Sequence, residues 1–220
     1  MQYDASHAEQ YARYRDEPSI TDPVLFGALN VIGLRGQRVL DVGCGDGRHI
    51  AAFLSHGALS TAGVDASPSM IERATVRFAN TALPVELRAA DARSLPFGNE
   101  DFDIVSSNYM LQHLPAVAPA MQEIARVLRA GGWFVGIFNT VEVSNDALWN
   151  TEMSLLLGRE HTVHVEDLMK PDKEFLDACA AAGLMVSRYE EVKSTAVIDP
   201  LSPHIKEISA LHSRLCVAQK

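Results

Sequence analysis

The chain has 220 residues, is 47% apolar and carries a formal charge of −9, which reads as one globular domain over 1–220 rather than a disordered or polybasic chain. The acidic balance excludes nucleic acid as an expected partner, because phosphate backbones are gripped by lysine and arginine. No apolar run reaches the roughly 20 residues of a membrane span, the N-terminus lacks the basic and apolar regions of a signal peptide, and three scattered cysteines make no disulfide framework; the expected setting is the cytoplasm.

In residues 1–20, Ala8, Tyr11, Ala12 and Arg15 share one helical face. That face either covers the sheet edge or closes over a ligand, and 1–33 are read as an N-terminal helical lid. Asp22 followed by Pro23 has the form of a helix start. Val24, Leu25, Ala28, Leu29 and Ile32 continue an apolar stripe that Gly33 and Gly36 end.

The next stretch, 39–48, organises the chain. Val39, Leu40 and Val42 are strand-like, Gly43, Gly45 and Gly47 follow, and Ile50, Ala51, Phe53 and Leu54 open a helical stripe. Strand, glycine turn, helix is the ligand-binding corner of a doubly wound α/β sheet. A dinucleotide fingerprint spaces its glycines G-x-G-x-x-G and seats a pyrophosphate on the helix start. Here the spacing is G-x-G-x-G, and Asp41 lies in the strand just before it. A carboxylate there repels a pyrophosphate and suits a cation. That points to a ligand with an ammonium, such as the methionine part of S-adenosylmethionine.

The second predicted strand, 60–64, ends at Asp65, where an acid grips a ribose through both hydroxyls. A third strand over 85–89 precedes Asp91 and Ala92; the carboxylate could accept the exocyclic amine of adenine and the Ala92 N–H could meet the ring. A fourth over 102–107 runs into Asn108, Tyr109, Gln112 and His113, at a strand's carboxyl end where ligands bind. Val117, Met121, Ile124 and Leu128 form a helical stripe stopped by Gly131 and Gly132, and 133–138 read as a buried fifth strand.

Residues 141–170 break the alternation. They hold Trp149, Met153, leucines at 155–157, and His161, His164 and Glu166. A connection this long is usually functional or disordered, and its apolar content argues against disorder. It is read as a flap over the acceptor, with Trp149 and Met153 touching substrate. The histidines lack a third strong ligand, and no metal is expected. A helix through Phe175, Cys179 and Ala182 follows, then strands over 185–197 and 214–220 around a short helix bearing Ile205, Ile208 and Leu211. Tyr189 and Lys193 have the spacing of a dehydrogenase catalytic pair, but they fall in a predicted strand rather than a long helix.

Segments 39–48, 62–74, 89–97, 102–114 and 128–138, taken in order, resemble the class I S-adenosylmethionine-dependent methyltransferases. The resemblance is to the small-molecule, type-11 and ubiquinone-biosynthesis-like group. It implies a Rossmann-like doubly wound seven-stranded sheet, mostly parallel, with an antiparallel C-terminal hairpin. It implies that Gly43 and Gly45 line the methionine part with Asp41 near its ammonium, that Asp65 holds the ribose, and that Asp91 and Ala92 hold adenine. The main chain around Ser107 and Asn108 would face the ammonium. Tyr11 and Arg15 match a Tyr- and Arg-bearing helix that lies over the cofactor in relatives. Many relatives have two histidines where this chain has Gln112 and His113. His113 is a candidate general base, with Tyr109 beside it. The expected reaction is methyl transfer to a small organic acceptor by a monomer or homodimer, releasing S-adenosylhomocysteine. The competing expectations are an NAD(P)-dependent oxidoreductase and a catalytically silent S-adenosylmethionine-binding protein.

Overall fold

The computed structural model describes residues 22–141, 150–156, 162–168, 170–192 and 211–220, with the backbone alone at 141, 150–156, 162–168, 211 and 212. Among them the chain runs α1 (Asp22–Ile32), β1 (Arg38–Val42), α2 (Arg48–Ser55), β2 (Ser60–Asp65), α3 (Pro68–Phe78), β3 (Val85–Ala89) and β4 (Phe102–Asn108). A short 3-10 turn (Leu111–His113) follows. Then come α4 (Ala118–Val127), β5 (Leu128–Val141), β6 (Asn150–Leu156), β7 (Thr162–Leu168), α5 (Asp172–Ala181), β8 (Met185–Glu191) and β9 (Leu211–Gln219).

Seven strands form one sheet in the order β3-β2-β1-β4-β5-β9-β8. β1, β2, β3, β4 and β5 are parallel, while β9 runs antiparallel between β5 and β8. The order reverses between β1 and β4, and the crevice above that point is where an open α/β sheet takes its ligand. The expected seven-stranded, mostly parallel sheet with an antiparallel C-terminal pair is the observed one.

Successive residues of a strand face opposite sides of the sheet, and β1 and β4 bury both sides. Leu40, Val42, Val105, Phe134 and Phe138 pack against α4 and α5. Val39, Ile104, Val135 and Ile137 pack on the other face with Leu25, Leu29 and Phe53. This two-sided burial is why the strands read as continuous apolar runs. Helix α3 begins as its sequence requires: Pro68 occupies its first position and Ser67 caps it through the Met70 N–H.

The structure departs from expectation in three places. Leu128 belongs to β5, not to the preceding helix; its ψ of 132° is extended and it pairs with Phe102. A buried leucine satisfies either element, so its apolar character could not mark the boundary. Residues 141–170 include an antiparallel hairpin, β6–β7, in which Met153 pairs with Val165. Strand β8 ends at Glu191, with Tyr189 in strand as expected, and Leu211 opens β9 rather than closing a helix. Tyr11, Arg15, Trp149, His161, Lys193, Ile205 and Ile208 lie outside the described residues.

The end of β9 is tied to the start of β5. The Gly131 N–H donates to the Lys220 carbonyl at 2.9 Å, and the Lys220 N–H donates to the Gly132 carbonyl at 3.0 Å. The Lys220 ammonium reaches the Leu128 carbonyl at 2.6 Å. No described helix is long and apolar enough to cross a membrane.

Candidate functional site

The loop from β1 to α2 turns through Gly43, Gly45 and Gly47, all with left-handed φ of 79°, 54° and 80°, which side chains with a Cβ adopt only at a cost. Gly43 is also pressed against the Met110 side chain, in the space a Cβ would need. The loop is held from the next strand. The Asp65 carboxylate, at the end of β2, accepts the Gly45 N–H at 3.0 Å on one oxygen and the Ser67 N–H at 2.9 Å on the other. Burial pushes the Asp65 pKa up, while those two N–H groups and the nearby His113 pull it down. Each carboxylate oxygen has a second lone pair to offer.

Asp41 pairs in register with Gly63 of β2 and Ser106 of β4, at the middle of the sheet. It is 1% exposed, and neither carboxylate oxygen has a partner among the described residues. Burial pushes its pKa up to about 6, His49 and Arg48 offset part of that, and Asp65 adds to it. A buried carboxylate without a hydrogen bond is costly and calls for a cationic or donor group. Arg48 and His49 open α2 and are held by Asp22 of α1, each at 3.1 Å from Asp22 Oδ1. This link between the base of the N-terminal segment and the glycine loop had no sequence signal beyond the helix-start form of Asp22.

Gly43, Asp65, Asp91, Ala92 and His113 meet on one cavity of about 190 Å³, together with Met110, Leu114 and Pro115. Ala92 is buried. Asp91 is half-exposed, and Arg93 covers its carboxylate through its backbone N–H at 2.8 Å and Nε at 2.9 Å. Arg93 holds the Asp91 carboxyl below its ordinary pKa. Sequence reading named Asp91 but not its partner two residues on.

Asn108 and Tyr109 lie at the same strand end but do not line this cavity. The Asn108 amide donates to Ser106 Oγ at 2.9 Å, and its buried Oδ1 has no partner among the described residues. Tyr109 has a φ of 54°, unusual for a bulky residue. Its hydroxyl turns toward β9 and donates to Ser213 Oγ at 3.5 Å, which in turn donates to Asn139 Oδ1 at 2.9 Å. The two candidate bases therefore face different parts of the rim. Among the described residues no group of three or more His, Cys, Asp or Glu could hold a metal ion. Tyr11, Arg15 and Trp149 are outside the description, and Met153 is placed only by its backbone.

A glycine loop at the switch point, Asp41 inside β1, Asp65 at the end of β2, Asp91 just past β3 and the 3-2-1-4 core of the sheet are features of a Rossmann-like fold. Residues 40–136 match a family model described as a methyltransferase domain. The ubiquinone biosynthesis O-methyltransferase of Rhizobium etli is 33% identical over 156 residues, covering 70% of this chain and 62% of the relative. An S-adenosylmethionine-dependent methyltransferase from Mesorhizobium loti superposes with a TM-score of 0.68 at 21% identity, covering 92% of this chain and 98% of that one. Residues 40–136 are thus similar to a methyltransferase domain, and the sheet has the fold of that Mesorhizobium loti protein. The chain spans between 29% and 62% of the length of the first curated relatives it matches. The [4+2]-cyclase SpnF has the same fold, with a TM-score of 0.73 at 20% identity over 90% of this chain and 80% of that one. Fold alone thus leaves the reaction open.

Proposed function

We propose that the chain transfers the methyl group of S-adenosylmethionine to a small organic acceptor and releases S-adenosylhomocysteine. The observation that carries this reading is Asp41. A buried carboxylate beside the glycine loop, with neither oxygen partnered among the described residues, fits the ammonium of an amino acid and opposes a phosphate. The methyltransferase-domain match over 40–136 supports the same reading.

In this reading the main chain at Gly43, Gly45 and Asn108 lines the methionine part. Asp65 accepts from the ribose hydroxyls with the lone pairs its two backbone bonds leave, and Asp91 with Ala92 meets the adenine. Tyr11 and Arg15 of the N-terminal lid and Trp149 and Met153 of the flap close over cofactor and acceptor. The bound cofactor supplies a methyl group already activated by its sulfonium. What the chain adds is alignment of the acceptor and exclusion of water. Where the acceptor must lose a proton, a base at His113 or Tyr109 would contribute about 10²–10⁴-fold.

The test is calorimetry with S-adenosylhomocysteine, NAD and NADP, followed by a screen of phenols, amines and acidic carbon compounds that reads S-adenosylhomocysteine formation. Binding of S-adenosylhomocysteine alone, with turnover on some acceptor, is expected. Binding of a nicotinamide cofactor in its place would overturn the reading, and binding without turnover would leave a silent S-adenosylmethionine-binding protein.

A further inference from the structure

The short 3-10 turn after β4 has an irregular end. In such a turn each carbonyl is taken by the N–H three residues on. The His113 N–H donates to the Met110 carbonyl at 2.9 Å, and the Leu114 N–H donates to the Leu111 carbonyl at 3.2 Å. The next donor in this series would be residue 115, which is proline and has no N–H. The Gln112 carbonyl instead accepts from the Lys170 ammonium at 3.2 Å.

Both residues are buried, Gln112 at 2% and Lys170 at 4% exposure. Lysine is almost never buried without polar partners, so this contact is a place where the fold has committed a charge. Two neighbours of the contact matter. On one side, His113, Leu114 and Pro115 from the turn line the cavity that also holds Asp65 and Asp91. On the other, Lys170 follows two residues after Leu168, the end of β7, and β7 itself lies beside the 3-10 turn. The residue whose ammonium holds the cavity-wall turn thus lies two positions past the inserted hairpin in the chain.

We propose that Lys170 is a positioning residue: it caps the wall turn in place of the missing Pro115 N–H and ties the β6–β7 hairpin to it, so that filling the cavity orders the hairpin. This rests on the reading that the cavity takes S-adenosylmethionine. Its consequence is an order of events in which cofactor binding prepares the cover under which the acceptor is then held.

Amide exchange measured by mass spectrometry on the full chain, with and without saturating S-adenosylhomocysteine, needs no knowledge of the acceptor. In the wild type, the ligand should slow exchange over 162–168 by about fivefold or more. Lys170→Met should bind the ligand about tenfold more weakly and lose the hairpin response at saturation. Lys170→Arg, which still offers a donor and a charge, should keep the response. The double variant Lys170→Met with Pro115→Ala regains a backbone N–H for the Gln112 carbonyl. It should recover the affinity of Pro115→Ala alone without recovering the hairpin response, which separates capping from tethering. Indifference of the wild-type hairpin to the ligand would overturn the proposal even if Lys170→Met does not fold. So would a Lys170→Met protein that keeps both affinity and response. If the wild type binds no S-adenosylhomocysteine at all, the cofactor reading fails first and this inference goes with it.

Discussion

The two halves of the sheet's carboxyl rim differ in what they leave unpaired. Over β5, β9 and β8, charge is answered by charge. Asp172 accepts from the Tyr189 hydroxyl at 3.0 Å and from Arg214 Nε at 3.1 Å and 3.2 Å, and Arg214 also approaches Glu191 at 3.9 Å. Phe138 and Phe175 stack beneath them with centroids 3.9 Å apart. Over β1, β2, β3 and β4, the rim carries a left-handed glycine loop and a left-handed Tyr109. It also carries buried oxygens of Asp41, Asn108 and Gln112 without partners among the described residues. Polar groups that pair with one another hold a fold together. Groups kept buried, unpaired or in costly conformations are the ones that a ligand would complete under the proposed function.

This contrast can be broken from either half. The largest expected effect is Asp65→Ala, which should weaken S-adenosylhomocysteine binding by about 10- to 150-fold, the value of one or more hydrogen bonds to a charged group. On the other half, Arg214→Ala should lower the melting temperature by about 2–8 °C, with the partly exposed pair discounted for solvent screening. It should leave the ligand's Kd within about twofold. Equal losses of affinity in calorimetry would show that the halves are not separable.

Asp41→Asn sharpens the comparison, because its effects on binding and stability should have opposite signs. The folded-state pKa of about 6 lies above the ordinary 3.8, so the fold takes up this proton more readily than the unfolded chain does. The stability from this group is therefore present below about pH 4 and is lost as the pH rises to about 6, a change of about 3 kcal/mol. The ligand-free Asn variant should melt about 2–8 °C above the wild type near pH 8, while binding S-adenosylhomocysteine about tenfold more weakly. The wild type's own affinity should fall as the pH drops from about 7 to about 5, by up to about tenfold per unit, and the Asn variant should be flat there. A wild-type profile that matches the variant's would remove Asp41 from the ammonium role. The smallest effect is expected at Asp91→Ala, about three- to fivefold in Kd, because the carboxylate is half-exposed and already shared with Arg93.

The readable part of the site was the part made by short-range spacing. Gly43, Gly45 and Asp41 fall within five residues, Asp65 closes β2, and Asp91 and His113 follow the ends of β3 and β4, strands that alternation or an apolar run makes visible. The hairpin carries a period-2 pattern too, with Met153 opposite Val165 and Leu155 opposite Val163. Its strands pair with each other and not with the main sheet, so it never showed the strand–helix rhythm by which the other strands were found. Lys170 gave no signal, since a lysine before a proline reads as surface. Its partner, the Gln112 carbonyl, becomes conspicuous only once Pro115 is known to end a 3-10 turn. The Asp22 clamp on Arg48 and His49 spans more than twenty residues and was equally invisible.

The position of β9 bears on how the chain is made. β5 has one neighbour, β4, that precedes it, but its other neighbour begins at Leu211, roughly 70 residues after β5 ends. At about 5–20 residues per second, a ribosome takes about 4–14 s to supply that strand. In the later part of that interval α5 can cover the face of β5 by placing Phe175 on Phe138, yet nothing in α5 can answer the row of N–H and C=O groups on its flank. A nascent chain in this state presents a long, apolar, unpaired strand, the template on which strands of other chains add. The last step of folding is then the insertion of 211–219 between β5 and β8, a long-range pairing and so a slow one. Yield in cells should depend more on what shields β5 during those seconds than on the stability of the finished sheet.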